Sequence, residues 1–325
     1  MTHPDPYVVV ITGASSGIGR ATAQAFARRG AFLVLAARDS HALEMVAAEC
    51  RALGTHARAV PTDVTDHEAV QSLARTALTR YGQIDLWFNN VGIGTIGRFE
   101  DTPMVSHRRV IEANLLGHMH GAHAVLPHFR ERGRGTLVNM ISLGGWVSAP
   151  YAGSYVASKF GLHGLSESLR AEVSDLPDVH VCAVYPTFVD TPGVRHGANY
   201  SGRSVRPPPP LVDPREVAAA VVALAQRPRA VVTLGVQAVP GRLAHALAPT
   251  LLGRASRWLM DRAFARADKV PHTDGNLFLS SAGHSIDGGF RQGRAAPRLL
   301  LGIAAVGLLA WTARRGSAKR GAGRP

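Results

Sequence analysis

Tyr155 and Lys159 stand four residues apart in the run Tyr155-Val156-Ala157-Ser158-Lys159. Side chains at that spacing share one face of a helix. A free phenol, with a pKa of about 10, is a poor base at neutral pH. A neighbouring ammonium favours the phenolate and lowers that value, as an oxidised nicotinamide would. A tyrosine tuned in this way gives a proton to, or takes one from, the oxygen of a carbonyl/alcohol pair during hydride transfer. Ser142, at the end of an apolar run, can hydrogen-bond the same oxygen. Lys159 is one of 3 lysines in a chain with 33 arginines, so it is no part of a general basic background.

A second cluster lies near the start of the chain, at Thr12-Gly13-Ala14-Ser15-Ser16-Gly17-Ile18-Gly19. Gly13 permits a tight turn, Gly17 lets backbone N–H groups approach a pyrophosphate at a helix N-terminus, and Gly19 allows close helix–strand packing. Downstream stands Ala36-Ala37-Arg38-Asp39, where a ribose-binding carboxylate for NAD would fall at the end of a second strand. Ala37 leaves the first position without one, and the Arg38 guanidinium suits a 2′-phosphate. NADP(H) is therefore favoured over NAD(H), with Asp39 keeping NAD open and Arg20 expected nearby. Asp63-Val64 and Asn89-Asn90-Val91-Gly92 follow the third and fourth apolar runs, at the edge where a cofactor would lie.

The elements that must position these groups can be read from hydrophobic patterning. Short, continuous apolar runs occur at 7–12, 31–36, 56–61, 84–89, 135–142, 179–185 and 230–235. Such runs belong to a parallel sheet covered on both faces. Helical patterns lie between them, at about 17–29, 40–53, 66–81, 104–131, 154–175 and 213–226, with N-terminal signals at Asp66 and Asp213-Pro214. The alternation predicts an α/β doubly wound Rossmann fold: a mainly parallel, seven-stranded sheet with helices on both faces. The Gly- and Pro-rich segment 193–212 breaks the rhythm and is expected to be a long loop acting as a substrate lid, with a short helix in it.

These motifs together resemble the short-chain dehydrogenase/reductase family, in its branch with a single-domain Rossmann core. TGASSGIG at 12–19, Asp63-Val64, NNVG at 89–92, Asn114, Ser142 and YVASK at 155–159 carry the resemblance, which covers about residues 6–235. It implies a catalytic tetrad of Asn114, Ser142, Tyr155 and Lys159, with a proton relay through Lys159 and a water held by Asn114. The implied cofactor contacts are Gly13, Ser15, Ser16, Gly17, Ile18, Gly19, Arg38, Asp63, Val64, Asn90, Val91, Gly92, Tyr155, Lys159, Pro186, Val189 and Thr191. Two departures stand out: Val91 replaces the usual Ala, and Pro186-Thr187 replaces the usual Pro-Gly, which puts the nicotinamide contacts of 187–189 in question. The family also implies a homo-oligomer, a dimer or tetramer, through the helices at 104–131 and 154–175. An NADP-binding regulator without catalysis on the same fold is the alternative, although it would have no need of Tyr155 and Lys159.

The rest of the composition bounds the reading. Net charge is +13, but 8 basic residues and no acid follow Asp287, which leaves +5 on the rest of the chain. The charge is mostly an appendage, not a basic stripe on a folded surface, so no nucleic-acid partner is expected. Cys50 and Cys182 fall in apolar patterns and read as reduced core residues, in keeping with the cytoplasm. His118, His120 and His123 lack a carboxylate or Cys set to complete a metal site and read as a solvated or interface face. Gly144, Trp146, Phe188 and the 193–212 loop are expected to line a pocket for a small apolar carbonyl or alcohol.

The catalytic domain is read as residues 1–290, with a helical cover at about 242–266, and 291–325 as an apolar helix and basic tail. Residues 299–313 carry no charge. As a helix they span about 22 Å, short of a hydrocarbon core of about 30 Å. Flanking arginines and Trp311 extend that reach. Membrane association through this tail is expected, with a helix packed on the enzyme as the other reading.

Overall fold

The structure is a computed structural model that describes residues 6–280 and 283–291. The described residues form nine strands and ten α-helices. They begin β1 (Val8–Thr12), α1 (Gly17–Ala27), β2 (Phe32–Ala37), α2 (Ser40–Ala52), β3 (Ala57–Pro61), α3 (His67–Tyr81), β4 (Leu86–Asn89) and β5 (Thr95–Ile96). Next come α4 (Met104–Ile111), a π-helical turn (Glu112–Leu116), α5 (Gly117–Arg132), β6 (Arg134–Met140), α6 (Gly153–Glu172), β7 (Asp178–Pro186), α7 (Gly193–His196) and β8 (Ala198–Asn199). The series closes with α8 (Pro214–Leu224), β9 (Val231–Leu234), α9 (Ala238–Leu247) and α10 (Pro249–Arg266).

Seven strands form one parallel sheet in the order β3-β2-β1-β4-β6-β7-β9. Their alternate side chains feed two different cores, which is why the sequence runs are apolar throughout. Val9, Ile11, Leu33 and Leu35 pack with Phe26 and Leu43 on one face, while Val10, Val34 and Trp87 pack with Leu73 and Phe129 on the other. Asp66 and Asp213 cap α3 and α8 by accepting backbone N–H bonds. Strand order reverses between β1 and β4, and that switch point opens a crevice at the strands' C-terminal edge.

The fold is the doubly wound sheet expected, with three refinements. The helix expected over 104–131 is interrupted at Glu112–Leu116 by a π-turn, where the Gly117 N–H reaches back five residues to the Glu112 carbonyl. The 193–212 segment contains α7 and β8 and is stitched down: β8 pairs with β5, and Val212 bridges to Val189. The cover expected at 242–266 is two helices broken at Ala248-Pro249. Cys50 and Cys182 are free and buried. The tail segment 299–313 lies outside the described residues, and among those described no helix is long and apolar enough to cross a membrane.

Candidate active site

The glycine-rich turn joins β1 to α1 at the switch point. Gly13 and Gly17 have φ of +64° and +52°, the left-handed region that glycine enters without strain. A Cβ on Gly19 would come within 2.0 Å of the Gly13 carbonyl oxygen, so only glycine lets α1 approach this turn so closely. Ser15, Ser16 and Ile18 lie half-buried along it, and the Ser16 side chain makes no capping bond to α1. The helix N-terminus is thus a cradle of backbone donors suited to an anion. Asn90 holds the cradle in place: its side chain donates to the Thr12 and Gly13 carbonyls, both at 3.2 Å. Val91 and Gly92 continue the same edge, and a Cβ on Gly92 would lie 3.7 Å from Lys159 Nζ.

On the far side of the crevice, Arg38 follows β2 and is half-buried. Its guanidinium donates to the carbonyls of Asn276 at 2.6 Å and Leu277 at 3.1 Å, and burial holds its pKa below the usual value. Asp39 caps α2 by accepting the Ala42 N–H at 2.9 Å and also faces His284. Arg20, expected near Arg38, instead pairs with Glu49 and donates to the His284 carbonyl. Asp63 accepts from the Thr65 N–H at 3.0 Å and from Arg109 at 2.7 Å. Burial alone would raise the Asp63 carboxyl, but these hydrogen bonds hold it below the usual range. Val64 is buried beside it. Sequence reasoning had no signal for Arg109, which sits 46 residues from Asp63 and looks like any surface arginine of a helix.

Ser142, Tyr155 and Lys159 meet beyond the C-terminal ends of β4 and β6. Met140 ends β6, and Ser142 opens a short 3₁₀ turn over Leu143–Gly145, its hydroxyl accepting the Gly144 N–H at 3.2 Å. Tyr151, at φ +63°, swings the chain into α6, which brings Tyr155 into the first turn of that helix. Burial raises the pKa of the Tyr155 phenol, and the neighbouring Ser142 side chain offsets that rise only in part; a Cβ on Gly144 would touch both residues. Lys159 is 2% exposed, donates to the Met140 carbonyl at 3.0 Å, and is brought by burial down to about 7. The sequence reading had Lys159 lowering the Tyr155 value. Here the Lys159 nitrogen lies 5.8 Å from the Tyr155 ring centre, and burial, not Lys159, sets the direction of the shift.

Asn114 sits fully buried in the π-turn. Its carboxamide accepts the Ile93 N–H at 2.9 Å and donates to the Ile93 carbonyl and to Ser158 Oγ. Ser158 in turn donates to the Tyr155 carbonyl at 2.6 Å. The Asn114 side chain thus ties the β4 loop to α6 and fixes the first turn that carries Tyr155. A π-turn disrupts the i→i−4 ladder and commonly marks a functional position in a helix.

The histidines and the pocket wall differ from expectation. His118 is not on a solvated face: it is 1% exposed, bonds the Val91 carbonyl at 3.0 Å, and burial drives its pKa down to about 3. Trp146 is no open pocket wall, because its ring stacks on Tyr185 at 3.8 Å with Arg242 over it. Phe188 is 41% exposed, and Gly144 lies beneath the Tyr155 ring. Pro186 ends β7, and Val189 is buried beneath the Val212 bridge. Thr191 packs against Gly17 across the crevice. Thr187, where a glycine was expected, keeps the sheet ladder through its N–H to Leu234 at 2.9 Å. It fits because Gly235 opposite lacks a side chain: a Cβ there would meet Thr187 Oγ1 at 2.0 Å.

Comparison with known proteins agrees with this geometry. The family model for short chain dehydrogenase matches residues 7–199. The chain is 33% identical over 320 residues to an uncharacterized oxidoreductase, YxnA, of Bacillus subtilis, covering 94% of this chain and 90% of that one. Among solved structures, an alcohol dehydrogenase from the archaeon Thermococcus sibiricus, complexed with 5-hydroxy-NADP, superposes with a TM-score of 0.61 at 32% identity, covering 71% of this chain and 95% of its own. A short chain dehydrogenase/reductase from Burkholderia phymatum, in complex with NAD, gives a TM-score of 0.66 at 27% identity, covering 83% and 100%.

Proposed function

The chain belongs to the short chain dehydrogenase family, and from that membership we propose that it moves hydride between NADP(H) and the carbon of a small apolar ketone, aldehyde or secondary alcohol. The observation that carries this reading is the meeting of the Tyr155 phenol with Ser142 beside the buried Lys159. The nicotinamide, when bound, supplies or accepts the hydride. Tyr155 holds the proton that the substrate oxygen gains or loses, and Ser142 hydrogen-bonds that oxygen and orients it. Lys159, with its pKa near neutrality, carries the proton onward from Tyr155. Asn114 acts on the frame, through Ser158, to hold the first turn of α6.

The cradle at Gly13, Gly17 and Gly19 fits a dinucleotide pyrophosphate, with Ser15, Ser16, Ile18, Asn90, Val91, Gly92 and Thr191 around it. Preference for NADP(H) over NAD(H) is supported by the guanidinium of Arg38 at the end of β2. It is supported further by Asp39, whose carboxylate is engaged in capping α2. Of the structural neighbours, one carries 5-hydroxy-NADP and another NAD, so the preference rests on this chain's own residues. Oxidation of NADPH followed against a panel of apolar ketones and aldehydes tests the proposal. Cofactor binding without turnover across the panel would favour a regulatory protein on the same fold.

A membrane-surface role is supported by α9 and α10. Leu243 and Leu247 of α9 and Trp258 of α10 are 57%, 67% and 58% exposed, and Arg254, Arg257 and Arg262 lie on α10 with Trp258. That pairing of apolar and basic groups suits anionic lipid. Co-sedimentation of the full chain with anionic vesicles, lost in neutral ones, is the expected result.

A further inference from the structure

Beyond α10 the chain turns back across the crevice, and its backbone carbonyls meet Arg38 and Gly17, both assigned above to the cofactor, and two neighbouring arginines. The Arg38 guanidinium donates to the Asn276 and Leu277 carbonyls. Arg109 donates to the same Leu277 oxygen at 3.0 Å, so two cations converge on one neutral carbonyl. The Gly17 N–H, at the start of α1, donates to the Ser285 carbonyl at 3.0 Å, and Arg20 to the His284 carbonyl at 2.6 Å. The Leu277 side chain is fully buried among Ile93, Val110 and Ala113, close to the loop that follows β4.

We propose that residues 274–280 and 283–287 occupy the adenosine side of the dinucleotide groove and that the cofactor binds by displacing them. The proposal rests on the cofactor reading above and goes beyond it. The Arg38 guanidinium and the Gly17 N–H, which have only peptide carbonyls as partners, are better matched by a phosphate or ribose oxygen. Hydrogen bonds from a cation to an anion are about twice as strong as those to a neutral acceptor, and a helix N-terminus favours negative charge.

The ends of this stretch are held outside the groove, so its middle can leave without unfolding the rest. At one end Thr273 bridges to Asn199. At the other, buried Asp190 accepts from the Phe290 and Arg291 N–H groups, and Arg291 also pairs with Asp213. Between them Phe278 and Leu279 are 41% and 77% exposed, and the Leu277 side chain is the apolar contact that must be released. The affinity measured for the cofactor is then reduced by the fraction of molecules in which the groove is open.

Hydrogen exchange of the full chain with and without NADP+ tests this. Faster exchange of the amides in 274–280 and 283–287 on adding NADP+ is the expected result. Unchanged or slower exchange there would overturn the proposal, slower exchange meaning that the segment closes over the cofactor. Leu277→Ser provides a second reading in titrations with NADP+. It should bind about tenfold more tightly than the natural chain, because the competing segment has lost its apolar contact; equal or weaker binding by the folded variant contradicts displacement. If neither protein binds NADP+ or NAD+, the cofactor reading itself fails and this inference with it. If both bind but the segment stays protected, only the displacement fails.

Discussion

The Lys159 ammonium nitrogen lies 5.8 Å from the centre of the Tyr155 ring, in surroundings that push both groups toward their neutral forms. Burial raises the phenol and lowers the amine, so Lys159 gives up its proton near neutrality while Tyr155 keeps its own to higher pH than a free phenol would. A site poised this way has a carrier near neutrality, Lys159, beside a donor that keeps its proton until the substrate and cofactor change its surroundings.

The Lys159 shift has a consequence for stability. Its pKa is about 7 in the folded chain against 10.5 in the unfolded one. Between those values the unfolded chain binds a proton that the folded chain does not, so stability rises with pH from about 7 to about 10.5. Denaturant titrations across that range should show the rise, and Lys159→Met should flatten it. An unchanged slope in the variant would assign the rise to other groups.

His118 acts in the acid range. Folded, its pKa is down to about 3; unfolded, it protonates near 6.5. As pH falls below about 6.5 the unfolded state gains a proton that the folded state refuses, and stability drops until about pH 3. His118→Asn should lessen this acid sensitivity. Thermal melts of both proteins at a series of acid pH values check it.

Arg38→Asp should shift preference from NADPH toward NADH, by about ten- to a hundredfold in the ratio of kcat/KM, since a charged hydrogen bond contributes about 1.5–3 kcal/mol. The carboxylate accepts from a ribose 2′-hydroxyl and repels a 2′-phosphate. An unchanged ratio would mean that Arg38 does not read the phosphate.

Gly235→Ala places a methyl 2.0 Å from Thr187 Oγ1 at a φ of +98°. Overpacking and left-handed strain each cost about 1–3 kcal/mol, so the melting temperature should fall measurably. Adding Thr187→Gly should restore the steric part and leave the backbone part. Full recovery in the double variant would show that φ costs nothing here.

The sheet was legible because its strands are buried on both faces and read as unbroken apolar runs; Val9 and Val10 feed opposite cores and neither is polar. The meeting of Ser142, Tyr155 and Lys159 was legible because two of the three share one helix and the third lies two residues past the end of a strand. Other features left no local trace. Arg109 reaches Asp63 only through the packing of α4, and the return of Leu277 and Ser285 to the crevice depends on contacts hundreds of residues apart in sequence, such as Arg20 to His284. The inward turn of His118 was hidden because its helix shows histidines on both sides, and only the fold reveals that Val91 lies behind it. Trp146 looked like a pocket residue because its partner, Tyr185, comes from β7, 39 residues on.

Deuterium transfer tests the central claim most directly. The protein is incubated with NADPH carrying deuterium at the transferred position and with a panel of apolar ketones, and the alcohols are analysed by mass spectrometry. Deuterium on the carbinol carbon is predicted for the natural chain. Tyr155→Phe should bind NADPH as before but transfer label about 10²–10⁴-fold more slowly, the usual worth of a positioned acid or base. Label transfer by the variant at the natural rate, or none by the natural chain with NADPH bound across the panel, would contradict the account.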